Sequence, residues 1–105
     1  MMTKHQLNQD ERYNQWVELG EQIRKELKAA MATGNPNSPQ AQKVALLHSQ
    51  WLEFTFPGHT PQDHAYLIQN YRNDGRFVAY YESVGPGASD FLCEAILAYT
   101  KSKKA

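Results

Sequence analysis

Three side chains near the middle of the sequence, His59, Asp63 and His64, are of types that bind metal ions or transfer protons. Two imidazoles and one carboxylate could in principle hold a zinc ion. Within the segment GHTPQDH, however, His59 lies in a loop, and the other two are neighbours in a helical turn that point in different directions. Asp63 also has a structural explanation, as the acid that completes a helix cap. We therefore expect neither a metal ion nor another cofactor here, and keep a metal-dependent enzyme as an alternative.

The single cysteine, Cys93, is the other candidate for chemistry. It lies in the helical stretch DFLCEAI between Asp90 and Glu94, and acidic neighbours raise the pKa of a thiol. A free cysteine in such a context is usually a small buried hydrophobic residue. No glycine-rich segment combines a preceding strand with the lysine that phosphate-binding loops need. We expect the chain not to be an enzyme.

Aromatic residues are abundant in this otherwise hydrophilic chain. Its 105 residues include two tryptophans, six tyrosines and four phenylalanines. Buried tyrosine and tryptophan need hydrogen-bond partners, so a core made of so many polar-tipped rings is costly unless some of them line a wet surface. The pattern alone leaves two interpretations open: the rings line a groove for a flat ligand, or each tyrosine keeps its hydroxyl at the rim of a filled core.

The elements that must position these rings are predicted to be helices. Apolar residues recur at steps of three and four, and nothing alternates with period two, so we expect an all-α fold of about five helices. In two of the predicted helices, a residue with a hydroxyl group directly precedes a proline at the start of the helix, a combination typical of helix starts. Unequal helix lengths favour angled, globin-like packing over a regular bundle. The predicted helices start near Tyr13, Ser38, Thr60, Phe77 and Ser89.

The composition of the chain limits which classes of partner it can bind. Eleven basic and eleven acidic side chains cancel, so no field attracts nucleic acid or an anionic membrane. The first residues lack the apolar stretch of a secretory signal, and no run approaches the roughly 20 apolar residues of a membrane span. We expect a cytoplasmic protein with a flexible leader, residues 1–12, and a single domain, residues 13–105.

The order of motifs after Ala41 resembles the TipAS antibiotic-recognition domain, the effector-binding part of MerR-type transcriptional regulators. The resemblance is carried by the segments YRNDGRF (71–77), PG (86–87) and FLCEAI (91–96), together with Tyr81. It extends from about Tyr13 to Tyr99 and implies a globin-like all-α fold without haem. It also implies a deep cleft for large multi-ring or peptide-like antibiotics, among them thiopeptides.

The resemblance also implies which residues bind the ligand. Residues that would line or close the cleft are Trp16, His48, Trp51, Phe54, His64, Tyr66, Tyr71, Phe77, Tyr80 and Tyr81. Trp16, on the first helix, is the candidate lid. Some members of the family capture thiopeptides through a cysteine near the start of the third helix, where this chain has Tyr66, so reversible binding is expected.

The predicted function is drug binding for sensing or sequestration. No basic recognition helix and no sustained heptad repeat occur before Tyr13, so this chain is expected not to bind DNA directly. The alternative is a helical interaction module that docks on a separate DNA-binding subunit. A monomer or weak homodimer is expected.

Overall fold

Five α-helices form the described part of the chain, as the apolar spacing predicted. The computed structural model describes residues 9–103, and that range contains no strand and no helix long and apolar enough to cross a membrane. The helices are α1 (Gln9–Met31), α2 (Pro39–Leu52), α3 (Pro61–Tyr71), α4 (Gly75–Glu82) and α5 (Ala88–Lys103). The predicted all-α fold class of about five helices is confirmed for the described residues.

The first helix starts earlier than the spacing indicated. It begins at Gln9, so residues 9–12, expected to belong to the leader, are helical. Their side chains are polar, which hid them from a search for apolar spacing, but Asp10 and Glu11 suit the positive end of the helix dipole. The rest of the expected leader, residues 1–8, lies outside the described residues. The division into a leader and one domain over 13–105 stays a prediction.

The predicted helix caps are present. Ser38 Oγ accepts a hydrogen bond from the backbone N–H of Ala41 at 3.1 Å, directly before the proline that opens α2. Thr60 Oγ1 accepts from the backbone N–H of Asp63, and Asp63 Oδ2 accepts from that of Thr60. This capping box lowers the pKa of Asp63, because the hydrogen bonds from Thr60 favour the carboxylate. Local chemistry therefore sets where α2 and α3 begin.

The core lies around α5, which packs against all four other helices. From α1 it receives Ile23, Leu27 and Ala30, the C-terminal half of that helix's apolar stripe. The remaining fully buried apolar residues of this cluster are Ala41, Val44, Ala45, Ile68, Ala88, Leu92, Cys93, Ala95 and Ile96. The N-terminal half of the α1 stripe is not part of this core and extends beyond it.

A carboxylate fixes the connection between α4 and α5. Glu82 Oε1 accepts from the backbone N–H of Gly87 at 2.9 Å, and Oε2 accepts from that of Ser89 at 2.8 Å. These bonds lower the pKa of Glu82. Gly87 has a φ of +86°, a conformation that glycine adopts without strain. The C-terminal end of α4 is therefore held against the start of α5.

Candidate functional site

An open cavity of about 600 Å³ lies between α1 and α4, with the C-terminal end of α2 as its floor. Sites for small organic molecules usually measure about 300 to 1,000 Å³. Seven of the ten residues that the sequence predicted to bind a ligand line this cavity: Trp16, His48, Trp51, Tyr71, Phe77, Tyr80 and Tyr81. The aromatic surplus is thus not all in the core, since most of these rings border open space.

One wall consists of the two tryptophans. The indoles of Trp16 and Trp51 stack with centroids 5.3 Å apart and planes 20° from parallel. They meet above Gly20, where an added Cβ would lie 3.5 Å from Trp51 Nε1. Trp16 Nε1 is buried and has no hydrogen-bond partner within residues 9–103. A buried N–H without an acceptor is rare in proteins, because it loses its bond to water.

The opposite wall is a continuous set of rings from α3 and α4. Tyr71 stacks on Phe77 with centroids 5.7 Å apart and planes at 9°. Phe77 continues to Tyr81 at 4.9 Å, and Tyr80 meets Tyr81 edge-on at 4.8 Å. Burial raises the pKa of the Tyr81 phenol, so this hydroxyl stays protonated at pH 7. Asp74 caps α4 by accepting from two backbone N–H groups, which places the rings that follow.

Arg24 connects α1 to the C-terminal part of α4 beside the cavity. The Arg24 guanidinium of α1 lies 5.0 Å from the centre of the Tyr80 ring on α4. Its Nη2 also donates a hydrogen bond to Ser83 Oγ at 3.0 Å. A cation over an aromatic face is attracted by the negative charge density of the ring. Arg24 therefore ties α1 to α4, the two helices that enclose the cavity.

Two buried histidines meet at the floor. His48 Nδ1 and His64 Nε2 are 2.9 Å apart, and their rings are parallel within 2°. His48 lines the cavity, with its ring 5.5 Å from Trp51, and His64 lies behind it on α3. Burial, and secondarily the neighbouring His64, lowers the pKa of His48 to about 3. Burial, followed by the charge of His59, lowers the pKa of His64 to about 4. Both imidazoles are neutral at pH 7.

Three of the predicted binding residues lie outside the cavity. His64 contacts it only through His48. Phe54 follows the end of α2, so the helical periodicity that carries Trp51 inward no longer applies, and its ring lies 5.1 Å beneath the guanidinium of Arg12. Tyr66 is 68% exposed, because it faces away from the side of α3 that buries His64.

The histidine and carboxylate cluster considered for metal binding is dispersed. His59 Nε2 shares a hydrogen bond with Ser49 Oγ at 2.8 Å, and its Nδ1 lies 3.2 Å from the backbone oxygen of Phe56. Asp63 is used in the cap of α3. Over residues 9–103 no three His, Cys, Asp or Glu side chains are grouped so that they could hold a metal ion.

Cys93 lies in the core and not in the cavity. Its side chain is fully buried in α5. Burial raises the pKa of the thiol to about 11, although the nearby Arg72 acts in the opposite direction. That arginine is occupied by Glu94, whose Oε2 lies 2.8 Å from its Nη1. The thiol is therefore a packing group.

Comparison with models of known protein families shows which family the chain belongs to. The family model for the TipAS antibiotic-recognition domain matches residues 2–99, nearly the whole chain. The chain belongs to the TipAS family. Searches of the curated proteins and of the solved structures gave no significant match.

Eight of the fifteen residues that line this TipAS cavity were not singled out from the sequence as ligand-binding. Helical spacing in the sequence puts Val17 and Gly20 on the apolar stripe of α1, and Leu52 and Thr55 in line with the apolar stripe of α2. An apolar stripe predicts which residues face the inside of the domain. It does not predict whether they face another side chain or an open cavity. Phe56 follows α2 and carries no periodic signal. The additional lining residues are Val17, Gly20, Glu21, Leu52, Thr55, Phe56, Asp74 and Arg76.

Proposed function

We propose that this TipAS domain reversibly binds large hydrophobic compounds, either multi-ring or peptide-like, in the cavity between α1 and α4. The observation that carries the proposal is an open space of about 600 Å³ walled by two stacked indoles on one side and four stacked or edge-packed rings on the other. Family membership supports the antibiotic class of ligand. Flat rings can stack on such walls, and apolar burial contributes about 25 cal/mol per Å².

Binding is proposed to be non-covalent and without catalysis. Cys93, the single cysteine of the chain, is buried away from the cavity. The titratable groups on the cavity lining are a neutral imidazole, phenols and rim charges, which suit orientation of a ligand better than bond cleavage. In a cell, such a domain would act in the cytoplasm as the sensing part of a MerR-type regulator or as a sequestering protein.

Tryptophan fluorescence tests the proposal directly, because both tryptophans of the chain line the cavity. Titration with a thiopeptide and a panel of other multi-ring antibiotics is expected to quench or shift the emission with a saturable dependence. Trp51→Phe should weaken binding, whereas Phe54→Leu, at a ring outside the cavity, should not. A panel that leaves both fluorescence and calorimetric heat unchanged would contradict the proposal.

A second candidate function is supported by exposed apolar residues on the outer surface. Tyr13 is 62% exposed, and Leu46 is 43% exposed. Such residues could dock on a separate DNA-binding subunit, with no small molecule involved. Size-exclusion chromatography and a pull-down with candidate regulators separate the two proposals, because docking needs a protein partner and drug binding does not. For the drug-binding proposal we expect a monomer or weak homodimer without affinity for DNA.

A further inference from the structure

The floor of the cavity contains one ring nitrogen without a hydrogen-bond partner in the described chain. His48 is 2% exposed, and its Nδ1 is occupied by His64. Its other nitrogen, Nε2, has no hydrogen-bond partner among residues 9–103. His48 lines the cavity, so Nε2 is a polar group that a bound molecule could satisfy. Whether it would act as a donor or as an acceptor depends on where the proton is.

His64 determines that choice, because two neutral imidazoles can share the 2.9 Å hydrogen bond in only two ways. If His48 Nδ1–H donates to His64 Nε2, then His48 Nε2 is an acceptor and His64 Nδ1 carries an unpaired N–H. If His64 Nε2–H donates to His48 Nδ1, then His48 Nε2–H is a donor and His64 Nδ1 is left with an unpaired lone pair.

The surroundings favour the second arrangement. His64 is 1% exposed, and edges of the His59 and Tyr99 rings pack near it at centroid distances of 5.7 and 6.5 Å. No acceptor for an Nδ1–H is found around it in the described chain. His48 borders the cavity and His64 does not, so an N–H on His48 Nε2 can meet an acceptor there, whereas an N–H on His64 Nδ1 has none in the described chain. The N–H belongs on His48, where the cavity can supply a water molecule or a ligand atom.

We propose that His64 Nε2–H donates to His48 Nδ1 and thereby fixes His48 Nε2–H as a hydrogen-bond donor directed at the cavity. His64 is then a positioning residue that never touches the ligand. The inference rests on the proposed function in one respect: the molecule that accepts from His48 is the bound compound. That compound should carry an acceptor, such as a carbonyl oxygen or an azole nitrogen, over the floor of the cavity.

The tautomers can be read without any ligand. Nitrogen-15 NMR of the full chain with labelled histidine, at pH 7, distinguishes protonated from unprotonated ring nitrogens. We expect protonated Nε2 and unprotonated Nδ1 in both His48 and His64. A spectrum with His48 protonated at Nδ1, or with both nitrogens averaging between the two states, would overturn the assignment.

Two substitutions at position 64 test the positioning role. His64→Phe keeps a ring but removes the donor, so the His48 signals should change to those of a mixture of tautomers. His64→Gln keeps an amide N–H near His48 Nδ1 and should restore the Nε2–H form. Circular dichroism checks that each variant folds. If His48 keeps its tautomer in folded His64→Phe, the positioning role is wrong; the wild-type spectrum decides the tautomer if that variant does not fold.

Quinoline and naphthalene provide matched probes, since they share a shape and differ in one acceptor nitrogen. In the wild type, quinoline should bind about fivefold more tightly than naphthalene, the worth of one neutral hydrogen bond, and should shift the His48 Nε2 signal. The ratio should fall in His64→Phe in proportion to the fraction of His48 that loses the Nε2–H form, and should recover in His64→Gln. Equal binding of both probes to the wild type would overturn the donor role. Binding of neither would count against the proposed function, while the ligand-free spectra still decide the tautomer.

Discussion

The histidine pair links the stability of this TipAS domain to pH at the scale of single residues. In the unfolded chain both imidazoles take up protons near the ordinary pKa of 6.5, whereas in the folded chain they do so only at about 3 for His48 and about 4 for His64. Between these values the unfolded state binds more protons, so stability is fully present above pH 6.5 and is lost as pH falls.

We therefore expect the free energy of unfolding to decrease between pH 6.5 and 5 by up to about 1.4 kcal/mol per pH unit for each imidazole. Urea denaturation at several pH values measures it. A double variant with His48→Leu and His64→Leu should show a flatter profile over the same range. An unchanged free energy of unfolding in the wild type would mean that the pair is not held neutral.

Cys93 should be inert in the folded chain. Its thiol is fully buried, and its pKa is raised to about 11, so the reactive thiolate is scarce at pH 8. A chromogenic disulfide reagent should modify it slowly in buffer and rapidly in concentrated urea. Rapid modification of the folded protein would contradict the assignment as a packing group, and would reopen the possibility of thiol chemistry.

At the scale of elements, the cap of α3 positions the helix that carries His64 and Tyr71. Thr60→Ala removes the oxygen that accepts from the backbone N–H of Asp63 and should destabilise the domain by about 1 kcal/mol. Thr60→Ser keeps that oxygen and should cost much less. Thermal unfolding of the two variants measures the difference, and equal melting temperatures would show that the cap contributes nothing.

Helix starts could be predicted because their signals are local, as with the Ser38 and Thr60 caps. The hydrogen bonds from Gly87 and Ser89 to Glu82 could not be predicted. A glycine turn separates the carboxylate from these two N–H groups, and the spacing of apolar residues does not specify the path of that turn. The same limit applies to the site. Tyr71 and Phe77 stack only because a particular turn joins α3 to α4. Tyr66, five residues before Tyr71, has the same side chain, yet it faces solvent.

At the scale of the whole molecule, Gly20 keeps space open between α1 and the rest of the domain. A Cβ there would make ordinary contact with Trp51, so Gly20→Ala should be tolerated and should stabilise α1 by up to about 1 kcal/mol. A longer side chain would have to displace the indole or occupy the cavity. Gly20→Leu should therefore abolish the fluorescence response to antibiotics.

Gly20→Ala is the matched control for that experiment, with thermal unfolding measured alongside the titration. A folded Gly20→Leu variant that binds antibiotics as tightly as the wild type would show that ligands occupy another surface. Only the packed structure shows this role of Gly20, since in the sequence it is one small residue on an apolar stripe.

The central place of α5 has a consequence for protein synthesis. The helices that wall the cavity precede α5 in the chain, yet each of them packs against it. The complete packing around the cavity therefore cannot form until α5 has left the ribosome. If the cavity binds drugs as proposed, chains in which α5 is not yet folded could not bind them.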